Sequence, residues 1–335
     1  MVPVLDENKK PLMPCSEKRA RKLLERGDAK PYWIEHVFCI ILQRKPKSTY
    51  LQEVCIGIDP GSKFNGYSIK SEAHTFLNLQ VNAVTTVKSK MEERAMLRRG
   101  RRQRKTPYRK CRSNKSIKNR LPPSTKSRWQ QHLNIIKLTG KMYNVTLVSL
   151  EDIKAKTIKN ARKWNTNFSP LEVGKYWFSE QVKNLGLKLY KYQGFYTYEM
   201  RKGYGFKKNS SKSKKDFYTH AMDAWCLANE VIGGHVTIDN ERTMCLKPLM
   251  YHRRKLHYLI PKKNNIRTIY GGTLSQGIKR GTLVVHPKWG KSIVGGNGKS
   301  GITLHSINNS IRLCRNAKSQ DLKILTRIKH LKEQA

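Results

Sequence analysis

The run Val54-Cys-Ile-Gly-Ile-Asp-Pro-Gly-Ser-Lys63, continued by Phe64-Asn-Gly-Tyr-Ser-Ile69, decides how the rest of the chain is read. A short apolar segment ends in Asp59, Pro60-Gly61 follow, and a second apolar segment begins. This predicts a buried strand, a tight turn and a hairpin partner, with one carboxylate delivered to the end of a sheet. Aspartate is a poor strand residue, so Asp59 needs a reason. Taken alone, it reads as an Asx turn stabilised by its own side chain. A functional carboxylate requires partners elsewhere in the sequence.

Composition narrows what those partners serve. The 335 residues suffice for one large domain or two to three small ones. Lys and Arg number 68 against 23 Asp and Glu, a formal charge of +45. Self-repulsion on that scale works against compactness, so the natural partner is a polyanion. Basic residues spread along nearly the whole chain predict an extensive nucleic-acid interface with steep salt dependence. No apolar run is long enough to span a bilayer and no N-terminal signal pattern is present, so no membrane partner is expected. The seven cysteines, at 15, 39, 55, 111, 226, 245 and 314, include no CxxC pair. That excludes a simple zinc ribbon or knuckle, gives no disulfide framework and fits a reducing compartment. Cys111, in a basic tract, is the one expected to be exposed.

Outward from Asp59, the chain divides by character. Residues 1–50 predict a compact unit: Ser16 caps a helix whose apolar side carries Ala20, Leu23 and Leu24, Gly27 closes it, and a strand runs from Tyr32 to Leu42. Its cationic face, Lys18, Arg19, Arg21, Lys22 and Arg26, suits phosphate contact. Strands are expected over 54–58, 65–70 and 74–87. Such a start is shared by RNase H-like nucleases and by sugar-kinase and ATPase folds. Residues 88–120 are intensely basic, with good helix formers up to about Lys105. A disordered basic tail is the usual reading of such a run. Its internal position and helix propensity favour a helix clamped by nucleic acid, through Arg94, Arg98, Arg99, Arg101, Arg102, Arg104, Lys105 and Arg109. Arginine at the centre suits bidentate phosphate contacts.

Leu121-Pro-Pro-Ser124 starts a further helix with Trp129, Leu133 and Ile136 on its core side. Val145 to Leu150 is a clear buried strand that again ends in acid, Glu151 followed by Asp152. Residues 156–184 read as partly helical, 187–192 as a strand and 194–216 as a mobile basic loop. Phe217 to Ile232 has a strong helical stripe ended by Gly233-Gly234, with His220 and Asp223 on one flank near its start. Beyond 235, short alternating runs (Ile266–Tyr270, Thr282–His286, Ile302–His305, Ser310–Leu313) predict a small barrel or curled sheet. Ser319 to Ala335 reads as a basic helix or a tail.

Three core elements thus carry an acid at a sheet edge: Asp59, Glu151 and Asp223, the last with His220. Clustered carboxylates repel unless a cation sits among them. Hard oxygen ligands beside a polyanion point to Mg²⁺ or Mn²⁺, and two such ions would suit phosphodiester hydrolysis. His220 is a ligand or a group that orients or deprotonates the attacking water.

Pro11-Leu-Met-Pro14, Gly57-Ile-Asp-Pro-Gly-Ser-Lys63, Arg98-Arg-Gly-Arg-Arg102, Leu121-Pro-Pro-Ser124 and His220-Ala-Met-Asp223 resemble, in this order, the motifs of the IscB/IsrB family. Its members are transposon-encoded, RNA-guided nucleases related to the ancestors of type II CRISPR effectors. The resemblance covers residues 1 to about 320. It implies an α/β (α+β) chain: an RNase H-like split RuvC nuclease core, an arginine-rich bridge helix, a small N-terminal PLMP domain and a small C-terminal β domain. The expected divisions are 1–50 for PLMP, 51–87, 121–185 and 186–240 for the three RuvC parts, 88–120 for the bridge, and 241–335 for a domain reading the target-adjacent motif. The implied metal ligands and catalytic residues are Asp59, Glu151, His220 and Asp223. Asp152 is the alternative to Glu151, which comes directly off its strand. An HNH nuclease would lie between the second and third RuvC motifs, but residues 152–219 contain no histidine. The chain therefore resembles the HNH-lacking IsrB branch, which implies nicking of the displaced non-target strand.

The expectation is a Mg²⁺-dependent DNA nickase that works as a monomer with a structured guide RNA (omega RNA). It acts on double-stranded target DNA through an RNA–DNA heteroduplex, in a prokaryotic cytoplasm and associated with the nucleoid. Protein contacts to the target-adjacent motif would come from Lys279, Arg280, Lys288 and Lys291. The rivals are a guide-independent resolvase or transposase nuclease and a non-catalytic RNA-binding scaffold.

Overall fold

The computed structural model describes residues 1–46, 50–103, 121–154, 169–211, 213–249, 274–297, 300–307 and 311–333. The chain begins with strand β1 (Val4–Leu5), helix α1 (Glu17–Glu25) and strands β2 (Ala29–Ile34) and β3 (Val37–Leu42). The Ser16 hydroxyl accepts from the Arg19 N–H at the start of α1, and Gly27 leaves it at φ +72°. Ala20 packs against Val4, Cys15, Ala29 and Ile40, with Leu23 and Leu24 alongside. The single strand expected from Tyr32 to Leu42 is instead the turn and second arm of a hairpin, β2 pairing antiparallel with β3. Glu35 makes the turn at φ 52°. A distant contact holds it there: its carboxylate accepts from the Lys329 N–H at 3.2 Å and meets His330 Nδ1 at 2.9 Å, both buried or partly so.

Strands β4 (Val54–Asp59), β5 (Phe64–Lys70) and β6 (Thr75–Asn82) form an antiparallel meander. Helices α2 (Val87–Gln103) and α3 (Pro123–Thr139) lead to β7 (Val145–Asp152), which lies parallel to β4. Next come α4 (Pro170–Lys183), β8 (Lys188–Gln193) parallel to β7, and α5 (Gly194–Gly203). A single π-type turn, Phe217–Ala221, runs straight into α6 (Met222–Ile232), and β9 (Thr243–Pro248) pairs parallel with β6. The first ten residues of the expected 194–216 loop are therefore helical.

Strand alternation sorts the helices onto two faces. Ile56, Ile58, Tyr67, Val148 and Leu150 point to α3 and α4, where they pack with Trp129, Leu133, Ile136, Phe178 and Val182. Cys55 and Leu147 point the other way and pack with Ala228 of α6. This is the mixed α+β layering of an RNase H-like core.

The hairpin β10 (Leu274–Ser275) and β11 (Ile278–Lys279) precedes an antiparallel sheet of β12 (Thr282–His286), β13 (Gly290–Asn297), β14 (Ile302–Ser306), β15 (Arg312–Ala317) and β16 (Lys323–Arg327). Its order is β15-β14-β13-β12-β16, around Val284, Val294, Ile302 and Leu304. The expected strand at 266–270 and the expected exposed Cys111 lie outside the described residues. The chain then returns: β17 (His330–Lys332) pairs with β9, giving the central sheet the order β17-β9-β6-β5-β4-β7-β8. The helix or tail expected over 319–335 is thus largely two strands, because β12 and β9 each offer an open edge to pair with. A unit beginning at 241 does not follow the sheets either, since β9 and β17 both belong to the central one. Among the described residues, no helix is long and apolar enough to cross a membrane.

Candidate functional site

Parallel pairing of β4 with β7 brings Ile58 opposite Leu150, so Asp59 and Glu151 leave the same end of the sheet side by side. Both continue the face that α6 covers. Asp152, one residue on, goes to the opposite face, where Lys175 of α4 donates to its Oδ1 at 2.6 Å and also pairs with Glu172 at 2.9 Å. Burial works against the Lys175 charge, but these two carboxylates outweigh it and raise its proton affinity. The open choice between Glu151 and Asp152 is therefore separated by the pleat: Glu151 faces Asp59, and Asp152 is committed to a structural ion pair.

Asp59 is only 7 % exposed. Burial holds its carboxyl well above the usual carboxylate range, the charge and hydrogen bond of Glu151 add to this, and Asp223 adds again, with Lys208 opposing. The three carboxylates fit a hard divalent cation in kind: oxygen donors that repel one another, with Asp59 and Asp223 buried and Glu151 half-buried. Among the described residues, no group of three or more His, Cys, Asp or Glu side chains is already arranged to hold a metal ion. The reason lies at the third acid. Asp223 is 4 % exposed, and its Oδ1 accepts from Arg201 Nη1 at 2.7 Å while Oδ2 is paired with Lys208. Two protein cations thus already occupy both of its carboxylate oxygens.

Asp223 reaches the sheet because α6 lies on it backbone to backbone. A Cβ on Gly57 would collide with the Ala224 carbonyl, and one on Gly66 with the His220 carbonyl. Gly66 is the cross-strand partner of Asp59. His220 is buried in the π-type turn just before α6, its ring 5.4 Å from that of Phe64. The structure therefore gathers Asp59, Glu151 and Asp223, and sets His220 at the same end with its ring against an aromatic neighbour.

Supporting groups escaped the sequence reading. Asn65 accepts from the Gly61 N–H at 3.1 Å and donates to Gln131, whose amide donates to the Asn82 carbonyl at 2.7 Å. This ties the turn after Asp59 to α3. On the same face, two residues along β5, Tyr67 meets His132 Nδ1 at 2.8 Å, and burial pushes His132 down to about 3, leaving a neutral ring. A polar Asn65 inside an apolar strand was the only available signal. Arg201 and Lys208 gave none, standing among many other basic residues.

Arg94, Arg98, Arg99 and Arg102 project from α2 into solvent, whereas the Arg101 side chain, Arg104, Lys105 and Arg109 lie outside the described residues. Lys279, Lys288 and Lys291 are exposed on the C-terminal sheet and Arg280 is half-buried. Lys288 lies 5.4 Å over the Trp289 ring. The two groups lie far apart in sequence, and Arg94, Arg98, Arg99, Arg102, Lys279, Lys288 and Lys291 face water.

Residues 2–167 match the family model described as RRXRR protein. That family is the arginine-rich domain typical of IscB/IsrB-like proteins. The matched span holds Asp59, Glu151 and α2, where Arg98-Arg99-Gly100-Arg101-Arg102 spells the family's name, and it stops before Asp223. No curated protein matches the chain.

Proposed function

We propose that this protein is an RNA-guided DNA nickase of the IsrB type, whose cutting site is formed by Asp59, Glu151 and Asp223 with His220 beside them. The observation that carries the reading is the convergence of three acids, from positions 59, 151 and 223, on one end of an RNase H-like sheet in a chain of charge +45. Asp59, Glu151 and Asp223 would hold Mg²⁺ or Mn²⁺, and the bound ions supply an activated water and stabilise the leaving oxygen of a phosphodiester. The chain's own contribution is placement. Parallel strands fix two carboxylates, backbone packing at Gly57 and Gly66 fixes the third, and burial excludes bulk water around Asp59. His220 orients the attacking water or takes its proton. Guide RNA pairing reads the target, and α2 holds nucleic acid through phosphate contacts. Contacts to a short target-adjacent motif fall to Lys279, Arg280, Lys288 and Lys291.

The test is nicking of supercoiled plasmid by protein purified with its RNA, with and without Mg²⁺. Asp59→Ala and Glu151→Ala abolish nicking and leave RNA binding intact, while Asp152→Ala keeps most of the activity. Cutting that persists without RNA points to a guide-independent nuclease. RNA binding with no metal-dependent cutting under any condition points to a scaffold.

A further inference from the structure

Helix α5 bridges two of the acids. At its start, Gly194 lies so close to Glu151 that a Cβ there would sit 2.9 Å from Oε1. Near its end, Arg201 donates to Asp223. Between those contacts stand Phe195, Tyr196 and Tyr198, which are 67 %, 54 % and 49 % exposed. The residue this turn buries is Thr197. The helix thus turns Thr197 and the half-buried Met200 inward and leaves its three aromatic residues outward, the reverse of a helix packed by its aromatic face. Phe195 and Tyr196 meet edge to face at 6.0 Å, and the Arg201 guanidinium that pairs with Asp223 lies 5.5 Å over the Tyr198 ring. The aromatic cluster is therefore attached to the carboxylate site by direct contact.

Three large rings left in water mark a surface that something covers. The neighbouring charges choose the occupant: Lys188, Lys191, Arg201 and Lys202 lie on or just before this helix, against one acid on it, Glu199. Exposed aromatics interleaved with cations suit a nucleic-acid strand, whose bases stack while its phosphates meet the cations. Stacking is also tolerant of sequence, because every base has a π-face, and a site that serves any guide must accept any sequence. We propose that Phe195, Tyr196 and Tyr198 form a stacking platform for the unpaired bases of a single DNA strand entering the carboxylate site. The proposal rests on the nucleic-acid part of the reading above and not on cleavage.

The experiment uses full-length Asp59→Ala protein with its co-purified RNA, so that no strand is cut. Affinity at raised salt is compared for an end-labelled oligodeoxythymidylate and an abasic strand of equal length and charge. The base-bearing strand binds at least about tenfold more tightly. Replacing Phe195, Tyr196 and Tyr198 by Ala removes most of that difference and leaves abasic affinity unchanged, whereas Tyr196→Phe with Tyr198→Phe retains it. A difference that survives the triple alanine variant, as a protein-docking patch would give, or equal weakening for both strands, as a fold defect would give, overturns the platform. Photocrosslinking of a strand carrying 5-iododeoxyuridine to protein with intact rings gives a second reading independent of folding. Crosslinks within 195–198 are expected, and their absence also overturns it. Persistent plasmid nicking by Asp59→Ala would refute the site assignment alone and leave this result standing.

Discussion

At the scale of single residues, a titratable side chain here does what its face of the sheet allows. Glu151 and Asp152 are adjacent in sequence and separated by the sheet itself, one beside Asp59 and the other bound to Lys175. His132 offers the cleanest test of this control. Its ring is packed among Trp129, Tyr67 and Phe178, and burial lowers its proton affinity from the ordinary 6.5 to about 3. Below about 6.5 the unfolded chain takes up a proton that the folded chain refuses until about 3, so stability falls as pH drops through that window. From about pH 7 to about pH 5 this single group costs about 2 kcal/mol. Urea unfolding of His132→Gln, which keeps a partner for the Tyr67 hydroxyl, should show a correspondingly shallower loss. Parallel decline in the two proteins would remove His132 as the cause.

At the scale of elements, the site depends on α6 touching β4 and β5 with nothing between them. Gly57→Ala forces the Ala224 carbonyl away, so about 1–3 kcal/mol of stability and the proposed nicking should be lost together. Gly100→Ala is the matched contrast. A Cβ there meets nothing, and helix propensity predicts a gain of about 0.5–1 kcal/mol. Thermal melts of both variants decide whether packing or propensity governs. The elements that carry the acids were legible because each obeys a local rule: an apolar run ending in acid for β4 and β7, a 3.6-residue stripe for α6. What was not legible depends on distant partners. The Glu35 turn is held by Lys329 and His330, nearly three hundred positions away. Helix α5 carries its aromatic residues outward, so periodicity marks no core face, and β16 and β17 are strands because β12 and β9 have edges to fill. The three-acid convergence was inferable from sequence. The clamp of Arg201 and Lys208 on Asp223 was not, since two cations among 68 carry no mark.

At the scale of the whole molecule, charge governs. A protein of +45 is matched to a polyanion, and α2 lends exposed arginines to that match. Replacing Arg98, Arg99, Arg101 and Arg102 by Ala should weaken RNA binding and reduce the slope of log K against log salt by about 3 if all four meet phosphate. Filter binding over a salt series measures it, and an unchanged slope would exclude α2 from the interface. The division of the site among three segments also has a consequence in time. A ribosome releases β4 first, then the arginine-rich helix, then β7, and Asp223 only after them. Nascent chains therefore present the basic surface of α2 before the third acid exists. Under the proposed function, synthesis in this order completes the cutting site last and gives a guide RNA first access to a chain that cannot yet cut.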